Sequence, residues 1–150
     1  MLELSPLMKI KVTLEPVREL GVTPLGRRRI IGITGGEFSG PRLAGRVLPG
    51  GADWQVVRSD GGTVLEARYT VRTTAGALVY VRNVGVRCGP PEVLARLGRG
   101  EPVDPASYYF RTTPRFETGA PAHAWLNDVI AVGSAVRRAD AVVLDFYVVA

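Results

Sequence analysis

The sequence predicts an all-β protein: one antiparallel β-barrel of roughly eight to ten strands, lipocalin- or calycin-like in shape, filling residues 1–150 as a single domain. Three observations point there. Apolar and polar residues alternate with a period of two in stretch after stretch, the signature of strands with one buried face. The 18 glycines and 11 prolines are scattered along the chain, as punctuation for many short strands. Only one stretch, near residues 91–97, reads as a good helix.

In chain order, Met8, Ile10, Val12 and Leu14 alternate with Lys9, Lys11, Thr13 and Glu15, and Pro16 ends this first strand. Residues 21–26 read as a loop. Residues 28–34 form a second strand, which Gly35 and Gly36 turn back into Phe38 and the segment 40–55. Gly45 inside that segment marks a bend or a close backbone approach. The glycine corner at 50–51 delivers Asp53 and Trp54. A short strand over 54–58 meets the hairpin turn Asp60-Gly61-Gly62. Strands over 63–73 and 78–85 continue the meander across the Ala75-Gly76 turn.

The helix has proline at its start and Gly98 just past its end, the expected asymmetry. It is too short to be a framework element, so it serves as a plug or flap at one barrel end. Asp104 is placed to cap a further helical turn. Strands follow over 108–118, over 124–134 as one long element, and over 141–149.

Composition removes several function classes. At 46% apolar residues the chain is folded. A single cysteine, Cys88, and a single histidine, His123, exclude an internal disulfide and the common zinc sites. The amino terminus has no signal-peptide pattern and no apolar run spans a membrane, so the expected compartment is the cytoplasm. Net charge is +5, carried almost wholly by arginine, since Lys9 and Lys11 are the only lysines. The run Arg27-Arg28-Arg29 lacks the interleaved aromatics or recognition helix that nucleic-acid binding needs. An anionic small molecule suits the charge better. There is no hydrolase nucleophile elbow, P-loop or dinucleotide fingerprint.

The segments Gly-Pro-Arg-Leu-Ala-Gly-Arg-Val-Leu-Pro-Gly-Gly-Ala-Asp-Trp (40–54), Ala-Arg-Tyr-Thr (67–70), Val-Tyr-Val-Arg-Asn (79–83), Tyr-Phe-Arg-Thr-Thr-Pro-Arg-Phe-Glu-Thr-Gly (109–119) and Trp-Leu-Asn (125–127) resemble a bacterial and fungal family, domain of unknown function 3237. The resemblance covers nearly the whole chain in order. It implies a single-domain β-barrel and no general activity. Glu66 and Cys88 stand where that pattern leads one to expect an aspartate and a histidine or aromatic.

Charged residues on the strands of a small barrel need a reason if they face inward. The candidate ligand-binding residues are Asp53, Trp54, Arg68, Tyr80, Arg82, Arg111, Glu117, Trp125 and Asn127. Arginines would clamp a carboxylate, phenolate or enolate through their planar fork. Asp53 or Glu117 would be the general base, and Trp54, Tyr80 and Trp125, with Phe110, an aromatic wall. Each has a structural alternative. Glu66 and Arg68 can be a solvated strand face. Arg82 and Asn83 are adjacent and face opposite ways, so at most one is inside. Arg111 and Glu117 can pair, and Asp53 can cap its own turn.

The expected function is therefore binding of a small anionic or aromatic organic molecule, by a carrier or a cofactor-free isomerase, cyclase or lyase. No metal and no cofactor is called for. The alternative is a non-catalytic scaffold, a homo-oligomer formed through strand edges such as Val142–Val149.

Overall fold

The computed structural model describes all 150 residues. Its ten strands are β1 (Leu4–Leu14), β2 (Arg18–Thr23), β3 (Gly26–Ser39), β4 (Ala44–Val47), β5 (Ala52–Val57), β6 (Thr63–Thr73), β7 (Leu78–Cys88), β8 (Tyr109–Glu117), β9 (Ala131–Arg137) and β10 (Ala141–Val149). One α-helix, α1 (Pro91–Gly98), and two 3₁₀ segments, Pro105–Ser107 and Pro121–Asp128, lie in the connections.

All pairings are antiparallel. They run from β1 through β10, β9, β8 and β7 to β6; β6 pairs with both β4 and β5, both of these pair with β3, and β3 returns to β1. The sheet thus closes on itself as an eight-position barrel. One position is filled by β4 and β5 in tandem. The extra strand β2 lies beside the first half of β3, whose second half carries β1. The ladder between β8 and β9 is much shorter than its neighbours, pairing only Arg111 with Ser134 and Thr112 with Gly133.

Two glycines let the wall close. A side chain at Gly36, in β3, would run into the Lys11 backbone of β1, and its φ of +138° is one that other residues avoid. A side chain at Gly45 would meet the Arg72 carbonyl of β6. This is the close approach the sequence suggests for Gly45.

The inward rows are mainly apolar. Ile10, Ile31, Val71, Val79, Val81 and Phe146 are almost completely buried, and each contributes about 1.5–3 kcal/mol through burial. Phe146 meets Phe116 edge to face at 6.0 Å. The connection from β7 to β8 covers one barrel end, with α1 presenting buried Leu97 to the core. Asp104 Oδ1 caps the following turn by accepting from Ala106 N at 2.9 Å.

Four local expectations change. Residues 124–134 are not one strand: Pro121 opens a 3₁₀ segment, and Asn127 ties it down by accepting from Thr118 N and donating to Ala124 O. Residues 18–23 form β2 where a loop beginning at residue 21 was expected, because β3 offers them a partner. Gly35 and Gly36 do not reverse the chain; β3 runs through them with a register shift against β1. β10 is paired on both sides, with β1 and β9, so Val142–Val149 offers no free edge. The unpaired edge belongs to β2.

Candidate functional site

Strand register carries the polar interior to the end covered by α1. In the β3–β5–β6–β7 ladder, Ile31, Asp53, Ala67 and Asn83 are mutual neighbours in one inward row. The next inward row toward α1 holds Arg29, Gln55, Leu65, Gly85 and Thr112. Beyond it Arg87 pairs with Thr63 and Phe110. Arg137, at the end of β9, completes this rim, its backbone N–H donating to Tyr108 Oη at 3.0 Å.

Asp53 is the one buried acidic side chain, 7% exposed. Its Oδ2 accepts from Gln55 Nε2 at 2.8 Å, and its Oδ1 has no hydrogen-bond partner in the protein. Burial pushes its carboxyl above the ordinary range; the Gln55 hydrogen bond and the charges of Arg87, Arg137 and Arg29 oppose that rise. Asp53 borders a cavity of about 30 Å³ with Tyr69, Asn83, Thr112 and aliphatic side chains. That is room for one water molecule. Tyr69 Oη, Asn83 Oδ1 and Thr112 Oγ1 also lack protein partners, and each such atom left unpaired costs about 1–3 kcal/mol. Burial, and then the Asp53 charge, hold the Tyr69 hydroxyl in its protonated form.

Arg87 is 6% exposed and Arg29 8%. Burial first, then the charges of Arg137 and Arg29, lower the Arg87 guanidinium to about 10. Arg137 is lowered chiefly by burial and next by Arg29. Arg87 lies 5.4 Å from the Phe110 ring centre, and its Nη1 has no partner. Arg137 Nη1 donates to Ala141 O at 3.3 Å.

Two clefts open on these arginines. One, of about 550 Å³, is bordered by Arg29, Thr63, Arg87 and Leu94 of α1, with Glu19, Arg27 and Arg58 at its rim. The other, of about 270 Å³, is bordered by Arg29, Arg87, Arg137 and Leu97. A larger hollow of about 750 Å³ lies on the outer wall over Lys9, Lys11, Glu37, Arg46 and Arg72, all exposed. Thr112 borders both the interior cavity and an outer-wall depression along the β8–β9 line.

Of the residues expected from sequence, Asp53 and, from the aromatic wall, Phe110 lie inside, both bordering the small cavity. Trp54, next to it, faces out. Arg68 and Arg82 share an outward row with Ala52 and both bind exposed-side Glu66, Arg82 Nε at 2.5 Å and Arg68 Nη2 at 3.1 Å. Tyr80 and Glu117 face each other on the outer wall. Arg111 is exposed, 5.3 Å from the Tyr109 ring, and forms no ion pair with Glu117. Trp125 is half-buried beneath Arg42, 3.7 Å away, and Asn127 fastens its loop. One parity rule explains these placements: Asp53 aligns with Ala67 and Asn83, so Arg68 and Arg82, one residue away, must point outward. Gln55, Tyr69, Asn83, Arg87, Thr112, Arg29 and Arg137 take the interior places. The available signal was alternation, since Arg29 continues Ile31–Ile33 and Arg87 continues Val79–Val81.

The chain has no group of three or more histidine, cysteine or acidic side chains placed to hold a metal ion. No helix is long and apolar enough to cross a membrane.

Comparison with known proteins gives a consistent frame. A family model described as "Protein of unknown function (DUF3237)" matches residues 2–149. A UPF0311 protein from Rhodopseudomonas palustris is 50% identical over 146 residues, which is 97% of this chain and 95% of that protein. A crystal structure of a conserved protein of unknown function from the same species aligns with a TM-score of 0.97 at 49% identity, covering 100% of this chain and 99% of the other. A beta-barrel like protein from Acinetobacter baumannii aligns at 0.88 with 47% identity, covering 100% and 97%. An enzyme from Penicillium herquei aligns at 0.71 with 21% identity, covering 100% and 94%, a likeness of fold alone.

Proposed function

The chain belongs to the DUF3237 family, and on that footing we propose that it binds a small organic anion at the α1-covered end of its barrel and exchanges a proton with it through Asp53. One observation carries this reading. Asp53 is a buried carboxyl with one oxygen held by Gln55 and the other unpartnered beside an interior cavity. Structural carboxylates at such depth are normally paired on both oxygens. Burial raises the proton affinity of Asp53, which makes its carboxylate a stronger base than an exposed one.

The body of the ligand fits the 550 Å³ cleft; Asp53 borders the separate water-sized cavity, so the reaction requires Gln55, the next inward residue of β5 toward that cleft, to move aside and join the two. Ionised Asp53 takes a proton from the carbon beside a carbonyl. The C–H electron pair moves toward the carbonyl oxygen, and the arginines stabilise the enolate. Return of the proton to another atom of the same molecule completes an isomerisation; attack of the enolate carbon on a second carbonyl, whose alkoxide takes the proton, closes a ring; expulsion of a leaving group from the next carbon, protonated by Asp53, makes it a lyase. None of these needs a cofactor. The barrel of the Penicillium herquei protein is described as belonging to an enzyme, which keeps catalysis within the proposal.

An aqueous compartment, the cytoplasm, is part of this reading. It is supported by the outward rows, which carry Lys9, Lys11, Arg68, Arg82 and Arg111 where a membrane barrel carries lipid-facing apolar residues.

The test is carbon-bound deuterium exchange, followed by NMR, on a panel of β-keto acids and phenolic ketones. The wild-type protein should accelerate exchange for at least one compound, and Asp53→Asn should lose about 10²-fold or more while still binding it. Exchange undiminished in the variant would remove Asp53 from the chemistry. Failure of every compound to bind would remove the ligand.

A self-associating scaffold is the second reading. It is favoured by the free edge of β2, where Leu20 and Val22 are exposed. A monomeric mass by light scattering at high protein concentration would dispose of it.

A further inference from the structure

Six arginines border the two clefts, and the acidic side chains nearby divide them into two groups. Arg58 is matched by Asp60 at 3.2 Å, and Arg99 by Glu101 at 2.5 Å. Arg27 lies 3.7 Å from Glu19. Arg87 and Arg137 form no ion pair at all. Arg29 has Glu19 Oε1 3.2 Å from its Nε, yet that N–H makes no hydrogen bond. The carboxylate is near the fork without being aligned to it, and the Glu19 side chain is half exposed while that of Arg29 is not. Two buried guanidiniums, Arg29 and Arg87, and the partly buried Arg137 therefore share half-exposed Glu19, the interior Asp53 and, beside Arg137, the exposed Asp140. When Asp53 carries its proton, the two buried guanidiniums have only Glu19 between them, and one positive charge in a desolvated place is unmatched.

We infer that this cluster selects dianionic small molecules, organic dicarboxylates or phosphate monoesters, over monoanions, with Glu19 as the resident carboxylate that one ligand oxyanion displaces from Arg29. The inference rests on the binding site proposed above and names its ligand class. Arg29 and Arg87 border both clefts, so two anionic groups, or one doubly charged group, can each find an arginine fork. A monoanion leaves a buried guanidinium without a counter-charge, the costly arrangement in a low-dielectric place. Burial first, and the neighbouring arginine charges second, lower the proton affinity of Arg87 and Arg137. Glu19 sits on the extra strand β2, outside the closed wall, where it can swing away without breaking a barrel ladder.

The experiment is calorimetric titration at constant ionic strength with matched pairs: succinate against butyrate, phthalate against benzoate, and phenyl phosphate against phenyl sulfate. Each dianion should bind about tenfold or more tightly than its partner, a difference of about 1.4 kcal/mol. Glu19→Gln should tighten both members several-fold. Arg137→Gln should bring the ratio close to one while monoanion binding survives; Arg137→Lys, which keeps the charge, should retain most of the ratio. Preference confined to the carboxylates or to the phosphate also supports the inference and identifies the source. Equal affinity for both members of every pair overturns the selectivity and leaves the proposed function standing. Absence of binding by all six compounds overturns both.

Discussion

Gln55 Nε2 donates to Asp53 Oδ2 at 2.8 Å, and the two side chains leave β5 on the same inward face, two residues apart. The amide fixes the carboxyl without neutralising it, since it satisfies one oxygen only. An interior acid held by a neutral donor keeps its proton more readily than one held by an arginine.

The first prediction follows from that bond. The Asp53 carboxyl has a raised proton affinity in the folded state, so between its ordinary value of 3.8 and the raised value the folded chain holds a proton that the unfolded chain has released. Its contribution is fully present below 3.8 and is lost as pH rises through the folded value. Asp53→Asn does not titrate. Urea denaturation should show the variant gaining on the wild type as pH climbs from about 4, with the gap narrowing again in acid. Parallel pH profiles would contradict the buried carboxyl.

Arg87 should trade stability for binding. Its guanidinium, lowered to about 10, is more costly to charge in the folded protein than in the unfolded one, and that cost disappears only as pH rises through the interval from about 10 to 12.5. At neutral pH Arg87→Gln should therefore stabilise the barrel by about 1–3 kcal/mol, net of the lost Phe110 contact. The same variant should bind anions more weakly. Denaturation and titration on one preparation check both; a destabilised variant would mean that the guanidinium is paired in solution.

Gly45→Ala should be among the most damaging small substitutions in the wall. The added methyl meets the Arg72 carbonyl and the Thr73 backbone of β6, neither of which can turn aside. A loss of about 2 kcal/mol or more is expected, whereas Gly119→Ala, whose methyl would meet nothing within 4 Å, should be nearly silent. Comparison of thermal midpoints decides it.

The Glu66 cluster should matter far less than its drawing suggests. Glu66 accepts from Arg82 and Arg68, which hold its carboxyl below the usual range. The arginines are about half exposed, and ion pairs of this kind contribute roughly 0–1 kcal/mol. The contribution is present above the ordinary value of 4.5 and fades as pH falls through the lowered one. Glu66→Gln should shift neutral-pH stability by less than about 1 kcal/mol, with a smaller shift in high salt. A larger loss would give these outer residues a role beyond the surface.

The fold was legible because its signals are local. Alternation in Met8–Leu14 and Leu65–Val71, the Asp60-Gly61-Gly62 turn and the proline-opened helix each depend on neighbours a few residues away. In the turn, Asp60 Oδ1 accepts from Gly62 N as such a sequence suggests. The interior was legible only at Asp53 and Phe110. Whether Arg82 or Asn83 faces inward depends on β6 and β8 and on where bulges fall, none of which a single strand contains. Arg87 and Arg137 hide for a further reason: an arginine at an inward position looks, in sequence, like the end of an apolar run. The 124–134 segment failed because the hydrogen bonds of Asn127 to Thr118, nine residues away, and to Ala124 hold a 3₁₀ turn that strand propensity does not reveal.

The thin ladder between β8 and β9 has one more implication. Those strands meet at two rungs, and Thr112 stands on the second with its side chain bordering the cavity that Asp53 also borders. Opening of these two rungs would give solvent protons a path from the flank of the cylinder, away from the arginine-lined mouth. Asp53 could then recover its starting charge while a product molecule still fills the front. Under the proposed function, recharging of the acid would then not have to wait for the product to leave.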